Sequence, residues 1–390
     1  MLLAGGLMLT PRLFYLWNAT VVVALALTLN ACGGGSSGAV SPPSSPFEML
    51  YTAAGSQVGI FRVDSSTGAF GTATTTPLRQ TTSAVSITAD PQSKFLFVAD
   101  NGSTTQPASV HGLSIDPGSG TLKEVSGSPF PAGIPAGTGQ LAIHPSGQFL
   151  YLGTHYGSPN RGIEVFTVDS TTGALTSTGF FGNFGTNGVF GLLVHPSGKF
   201  VYAGDNNGHI LGFAVDSTGA LMPLPGSPFP AAGRMFDMIL YPSGKFLFAS
   251  VDLTGTGQIG FQVWNVDSAT GALQQVSASA VANSNVSYYP LLMDPGGKFL
   301  YAAQPELGAY AINSTTGQLT PGPLSLAPVT FTIFVSATID SQGKFIFMAG
   351  TKNDSLAGFA ISSSTGAPTL ASSAPSLPFS PGAMTIVKLP

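Results

Sequence analysis

The chain runs to 390 residues, 8% of them charged and 43% hydrophobic, with 50 glycines, 30 prolines and a formal net charge of −4. That apolar fraction excludes an intrinsically disordered chain, and so little charge argues against long solvent-exposed helices. The balance lacks the basic character a nucleic-acid partner requires, and removing residues 1–31, with Arg12, takes the charge only to −5.

In chain order, the first element is a targeting segment. "VVVALALTLNAC" is an apolar run ending in small residues, with Arg12 upstream, so residues 1–31 read as a secretory signal rather than a membrane-spanning helix. Cys32, the only cysteine, follows directly, and "LNAC" (Leu29 to Cys32) resembles the bacterial lipobox, in which the signal is cut before a lipidated cysteine. Cys32 is therefore the expected lipid attachment point, and residues 32–45, "CGGGSSGAVSPPSS", a flexible tether. The expected address is the bacterial cell envelope, periplasmic or at the cell surface. Gly33 after the cysteine is compatible with the outer membrane. A lone cysteine allows no internal disulfide, so the folded part must be held by packing.

From residue 46 onward the chain repeats. "HPSGKFVYAG" at His195 has counterparts beginning at Asp90, His144, Tyr241, Asp294 and Asp340, and a weaker one, "SPFEMLYTAA", near Pro46. A second signature follows each copy, as in "VDSTTGAL". Its glycines are Gly68, Gly120, Gly173, Gly219, Gly271, Gly317 and Gly366, at intervals of 52, 53, 46, 52, 46 and 49 residues. That period is a propeller blade and too long for a helical solenoid unit.

Within the fourth unit, "FGLLVHP" reads as an innermost strand buried on both faces, "KFVYAGD" and "HILGFAVD" as alternating strands, and "GALMPLP" as a short outer edge. The "PSGK" turn joins the first two strands and "DSTTG" the last two. Seven such units predict an all-β, seven-bladed propeller of four-stranded antiparallel blades over residues 46–390. The first unit lacks an innermost strand and the chain ends in one, "PGAMTIVKLP", so the C-terminal strand is expected to complete the N-terminal blade and remove the open edges. His144 and His195 hold a turn position filled elsewhere by aspartate or tyrosine, and Lys94, Lys199, Lys245, Lys298 and Lys344 share another, so both sets read as structural.

The strings "HPSGKFVY", "VDSTTGAL" and "GSPF" resemble the seven-bladed β-propeller lactonase family, which includes 6-phosphogluconolactonase and carboxymuconate-cyclising propellers. The resemblance covers essentially all of residues 46–390. It implies a lactone-opening site with a histidine just before an innermost strand, in contexts such as "PHQV", and with arginine and acidic partners nearby. The corresponding stretches here, "TGQLAIHP", "VFGLLVHP", "RMFDMILYP" and "YYPLLMDP", have no histidine at that place.

In this strand order both repeated turns lie on one face, and the variable loops between second and third strands and between blades lie on the other, where binding usually resides. The polar groups expected there are Asp100, Asn101, His155, Arg161, Asp205, Arg234, Asp237, Asp252, Glu306, Lys352 and Asp354, with Tyr156, Phe190, Tyr288 and Tyr289 as aromatic walls. His155, Arg234 and Asp205 are the catalytic candidates, since lactone hydrolysis needs a base near neutral pH and a cation for the developing oxyanion. Arg161, Asp237, Tyr288, Tyr289, Asp252 and Glu306 are the candidate ligand contacts. Against catalysis, His155 also reads as a surface loop residue and Arg234 as the partner of Asp237.

Other motifs lack their context. "GTGQIG" (Gly255 to Gly260) leads into a strand rather than a helix, and "GGSSG" lies in the tether. "GDNNG" (Gly204 to Gly208) supplies one carboxylate, Asp205, and reads as a hairpin turn, and no cluster has metal spacing, so neither metal nor cofactor is expected. The favoured expectation is a lipid-anchored scaffold binding a small molecule, glycan or envelope protein. The alternative is an exported hydrolase of an unphosphorylated lactone.

Overall fold

Two turn chemistries build every blade. In the first, proline and a left-handed glycine reverse the chain, as at Gly198 (φ 74°). In the second, an aspartate side chain caps the turn: the Asp169 carboxylate accepts the Thr171 and Thr172 amides at 2.9 and 2.8 Å. A computed structural model describes residues 46–390 except 104, 135, 155–161, 182–187, 206, 253–258, 277–289, 304–306, 326–333, 351–354 and 375–376. For residues 190, 259, 303, 323–325 and 334–335 it describes the backbone alone.

Blade 1 comprises β1 (Phe47–Ala54), β2 (Gln57–Val63) and β3 (Thr74–Pro77). Blade 2 comprises β4 (Ala84–Ala89), β5 (Phe95–Asp100), β6 (Ser109–Ile115) and β7 (Leu122–Glu124), with the short β8 (Phe130–Pro131) also beside β6. Blade 3 follows with β9 (Thr138–Ile143), β10 (Phe149–Thr154), β11 (Ile163–Val168) and β12 (Leu175–Phe181). Blade 4 has β13 (Val189–Val194), β14 (Phe200–Asp205), β15 (His209–Val215), β16 (Leu221–Pro223) and, beside β15, β17 (Phe229–Pro230). Blade 5 is β18 (Met235–Leu240), β19 (Phe246–Asp252), β20 (Ile259–Val266) and β21 (Leu273–Gln275). Blade 6 is β22 (Leu291–Met293), β23 (Phe299–Ala303), β24 (Leu307–Ile312) and β25 (Leu319–Ser325). Blade 7 is β26 (Phe334–Ile339), β27 (Phe345–Gly350), β28 (Ser355–Ile361) and β29 (Pro368–Ser373). The last strand, β30 (Met384–Leu389), pairs antiparallel with β1 from Phe47↔Leu389 to Thr52↔Met384, closing the ring as expected.

The burial within a blade corrects one expectation. The second strands β5, β10, β14 and β27 are buried at every residue, whereas the innermost β9 and β18 are buried at two of six. An innermost strand has one edge on the central channel. The second strand has hydrogen-bonded strands on both edges and a neighbouring blade over each face. The doubly buried strand is therefore the second, and its apolar run is as continuous as that of the first.

The core lies between blades. Each of the seven interfaces holds its own hydrophobic cluster, so that Tyr151 and Val165 of blade 3 pack with Val201 and Phe213 of blade 4. Each fully buried side chain of this size contributes about 1.5–3 kcal/mol. The two turn signatures interlock across these interfaces. A Cβ on Gly271 of blade 5 would lie 2.5 Å from the Phe200 ring of blade 4, and the same pairing joins Gly68 to Phe345, Gly173 to Phe95, Gly317 to Phe246 and Gly366 to Phe299. Above these contacts, the hydroxyls of Tyr51, Tyr151 and Tyr202 donate to the carbonyls of Gly120, Gly219 and Gly271, one blade on.

The histidines of the first turn do the same. His144 Nε2 donates to Gly198 O at 2.9 Å and His195 Nε2 to Gly244 O at 3.1 Å, while each Nδ1 accepts from its own turn serine. Both ring nitrogens are engaged, and burial holds the His195 pKa below its ordinary value. Where aspartate replaces histidine, it caps its own turn instead: Asp90 accepts the Lys94 and Phe95 amides, both at 2.6 Å. Lys245 spans an interface too, donating to Thr315 O at 3.0 Å with its ammonium 4.9 Å from the Phe246 ring centre.

Candidate ligand-binding face

Each innermost strand of blades 2 to 7 enters from the variable face and ends at a repeated turn, and with β30 of blade 1 each contacts the next around the whole channel. Near their entry, β4, β9, β13, β18 and β26 all shift register against the second strand of their blade. Such bulges re-aim side chains, and five at one level make a collar at the channel mouth. Val85 and Phe236 stand at this level. Val85 is 38% exposed, and Phe236 lies with the Arg234 guanidinium 5.4 Å from its ring centre. Phe190 occupies the same register position in blade 4.

One residue deeper, a polar belt joins blade to blade. Ser86 Oγ accepts the Leu141 amide at 3.0 Å, Gln140 Oε1 the Leu192 amide at 3.0 Å, Asp237 Oδ2 the Leu291 amide at 2.7 Å, and Ser336 Oγ the Met384 amide at 3.0 Å. In blade 4 the position is Gly191, where a Cβ would meet Met238 at 3.1 Å, and across that gap the Gln140 side chain also hydrogen-bonds the Asp237 carboxylate. Asp237 Oδ1 accepts the Met238 amide at 2.8 Å. Burial in the walls of the channel raises the Asp237 carboxyl to about 6, against the hydrogen bonds from Leu291, Met238 and Gln140 that favour the ion.

The other candidates take separate places. Asp205, at the end of β14, accepts the Asn207 and His209 amides at 2.9 and 2.8 Å and lies 3.1 Å from His209 Nδ1, so it closes its own hairpin. Asp100, at the matching end of β5, holds the Thr82 and Ser83 amides of the preceding connection at 2.9 and 2.6 Å. Asp252 donates its amide to Arg234 O at 2.8 Å, which sets the Arg234 segment against the end of β19. Arg234 is not among the partners of Asp237, whose carboxylate contacts are those already given. His155, Tyr156, Arg161, Tyr288, Tyr289, Glu306, Lys352, Asp354 and Cys32 lie outside the described residues.

Sequence reasoning missed the belt. Ser86, Gln140, Asp237 and Ser336 each stand four residues before the first turn signature. Superposing the repeats at that position would have shown polar residues recurring inside an apolar run. It also missed Glu164, His111 and Gln262, buried on third strands. Glu164 accepts the Gly133 amide at 3.0 Å and Gln262 the Ala232 amide at 2.8 Å, so both fasten the connection entering their blade. Burial raises the Glu164 carboxyl, against its bonds from Ser177 and Gly133.

Among the described residues no group of three or more His, Cys, Asp or Glu has metal-ligating geometry, and no helix is long and apolar enough to cross a membrane. A pocket of about 240 Å³ beside Arg62, Asp64 and Phe70 lies at the second turn of blade 1, on the face of the repeated turns.

The family model described as lactonase, 7-bladed beta-propeller, matches residues 107–235. No curated protein matches the sequence. Among solved structures, the Pseudomonas aeruginosa periplasmic gluconolactonase is similar at a TM-score of 0.74 and 19% identity, over 89% of this chain and 100% of that one. Putative 6-phosphogluconolactonases from Bacteroides uniformis and Bacteroides fragilis give TM-scores of 0.69 and 0.70 at 18% and 17% identity, over 88% and 89% of this chain and 99% of each of theirs. The lactonase match falls on blades 2 to 4, and over its described residues the chain is a seven-bladed β-propeller similar in fold to these structures.

Proposed function

We propose that this propeller is carried on the bacterial envelope by a lipidated Cys32 and binds a small molecule with an apolar face at the mouth of its central channel. The observation that carries this reading is the layering of the channel. Val85 and Phe236, with the Arg234 guanidinium over the Phe236 ring, form the apolar part of the collar, above a belt whose acceptors are already engaged by backbone amides. A collar of this kind gives a ligand area and orientation, and a belt committed to neighbouring blades keeps its shape without supplying a free base.

A second reading, hydrolysis of an unphosphorylated lactone, is favoured by the likeness to a periplasmic gluconolactonase and by the Asp237 carboxyl poised near 6. One experiment separates the two. The detergent-extracted full-length protein is assayed for acid release from a panel of lactones and for ligand-dependent rise in melting temperature, beside Arg234→Ala and His155→Ala. Binding weakened by Arg234→Ala without turnover supports the scaffold. Turnover abolished by either substitution establishes the hydrolase. A panel that neither binds nor reacts overturns both for this ligand class. Mass spectrometry of the mature protein tests the anchor: an unmodified Cys32 would sink it.

A further inference from the structure

Over blade 2, away from the channel, three side chains stand in a line that no repeat signature explains. His111 on β6 is fully buried. Its Nδ1 lies 2.8 Å from Glu124 Oε1 on β7, and its Nε2 lies 2.9 Å from the Thr81 hydroxyl in the connection between β3 and β4. Arg79 binds the other oxygen of Glu124 through its Nε and reaches Ser128 O at 3.0 Å. Burial works to raise the Glu124 carboxyl, but the bonds from Arg79 and His111 hold it below its ordinary value.

The carboxylate can only accept, so Nδ1 carries the imidazole proton and Nε2 is left as an acceptor facing the Thr81 O–H. A hydroxyl so placed has a base in hydrogen-bond contact and an ion behind the base, which is the logic of an activated nucleophile. Two further observations mark the spot. Gln80, just before Thr81, is held at φ 52°, a left-handed conformation that a residue with a side chain rarely adopts unless its surroundings impose it. The backbone amides of Gln80 and Thr81 donate to no group among the described residues, which leaves two donors beside the hydroxyl. Thr81 itself is partly exposed, on the same face as the variable loops.

We propose that Thr81, His111 and Glu124 form an acyl-transfer site for small carboxylic esters, distinct from the channel mouth. Thr81 Oγ attacks the ester carbonyl carbon as its proton passes to His111 Nε2, and the Gln80 and Thr81 amides face the developing oxyanion. Collapse breaks the bond to the alcohol oxygen, which leaves with the proton from His111. Water then attacks the acyl-threonine, again giving its proton to His111, and releases the acid with the hydroxyl restored. Glu124 orients the imidazole and stabilises its cation, and Arg79 positions Glu124.

The probe is p-nitrophenyl acetate, with the full-length protein and its Thr81→Val, Thr81→Ala and Thr81→Ser variants. The expected result is a burst of p-nitrophenolate, an acetyl group on the peptide carrying Thr81, and a loss of about 100-fold or more in rate for the valine and alanine variants. Thr81→Ser should retain or exceed the parent rate, since a primary hydroxyl is less hindered. Melting temperatures near the parent value show that the variants are folded. Should the valine and alanine variants fail to fold, the acetyl position in the parent protein alone decides. Acetylation only at lysines or at other hydroxyls, or a rate that Thr81→Val leaves unchanged, overturns the proposal.

Discussion

The two faces of this propeller are made by the same strands and treat their polar groups in opposite ways. On the face of the repeated turns, each bond has a counterpart one blade on. His144 and His195 both reach the next glycine carbonyl, and Tyr51, Tyr151 and Tyr202 all cap the next second turn. On the other face, equivalent strand ends serve different loops: Asp100 holds the connection before its blade, Thr154 the Gly162 segment of its own, and Asp205 its own hairpin. Within one chain, repetition thus separates what the ring needs from what a particular blade adds. A histidine whose two nitrogens are engaged in the same way twice is structural, whereas the line from Thr81 through His111 to Glu124 occurs in blade 2 alone among the described residues.

The sharpest way to break the comparison is to add a methyl group on the repeating side. Gly271→Ala places a Cβ 2.5 Å from the Phe200 ring at φ +73°, so both packing and backbone oppose it, and a loss of about 2–4 kcal/mol is expected in urea unfolding. Gly55 also has a positive φ (+59°) but nothing within 4 Å of an added Cβ, so Gly55→Ala should cost about 1 kcal/mol from the backbone alone. Equal losses would mean that the interlock with the next blade contributes nothing.

A smaller effect is expected from Tyr202→Phe, which removes the 2.7 Å bond to Gly271 O and leaves that carbonyl buried without its donor. About 1–2 kcal/mol should be lost, with the slope against urea unchanged. Tyr301→Phe is the matched control, because the Tyr301 hydroxyl is buried with no hydrogen-bond partner among the described residues, and it should be neutral or stabilising.

The smallest effect carries a sign. Burial raises the Glu164 carboxyl, so its contribution to stability is fully present below its unfolded pKa and is lost as pH rises through the folded value. Glu164→Gln copies the solution blade 5 already uses at Gln262. The variant should melt at or above the parent temperature at pH 7, with the difference closing towards pH 4. A variant that is less stable at pH 7 would show that the ionised carboxylate is needed to hold the Gly133 amide.

Much of the fold was legible because a propeller states its rule seven times. The turn glycines, the aromatic after each first turn and the displaced final strand are local patterns, and each copy confirms the others. The burial order of the strands was less legible: "FGLLVHP" and "KFVYAGD" are equally apolar, and only the ring puts one beside a channel and the other between two blades. At the candidate site, Arg234 and Asp237 were visible as charges in an apolar stretch, but their separation was not. Asp237 faces Gln140 of blade 3 across the glycine of blade 4, a relation nearly 100 residues long in sequence.

By itself, then, the sequence determined the number of units, the turn chemistry and the strand that closes the ring, because hydrophobic periodicity and glycine placement act over a few neighbouring residues. Tertiary structure decided which polar groups meet: Gln140 with Asp237, His195 with Gly244, Thr81 with His111 and Glu124. Those contacts depend on how far each blade is rotated from the last and on which position lacks a side chain. Neither is written in any single repeat.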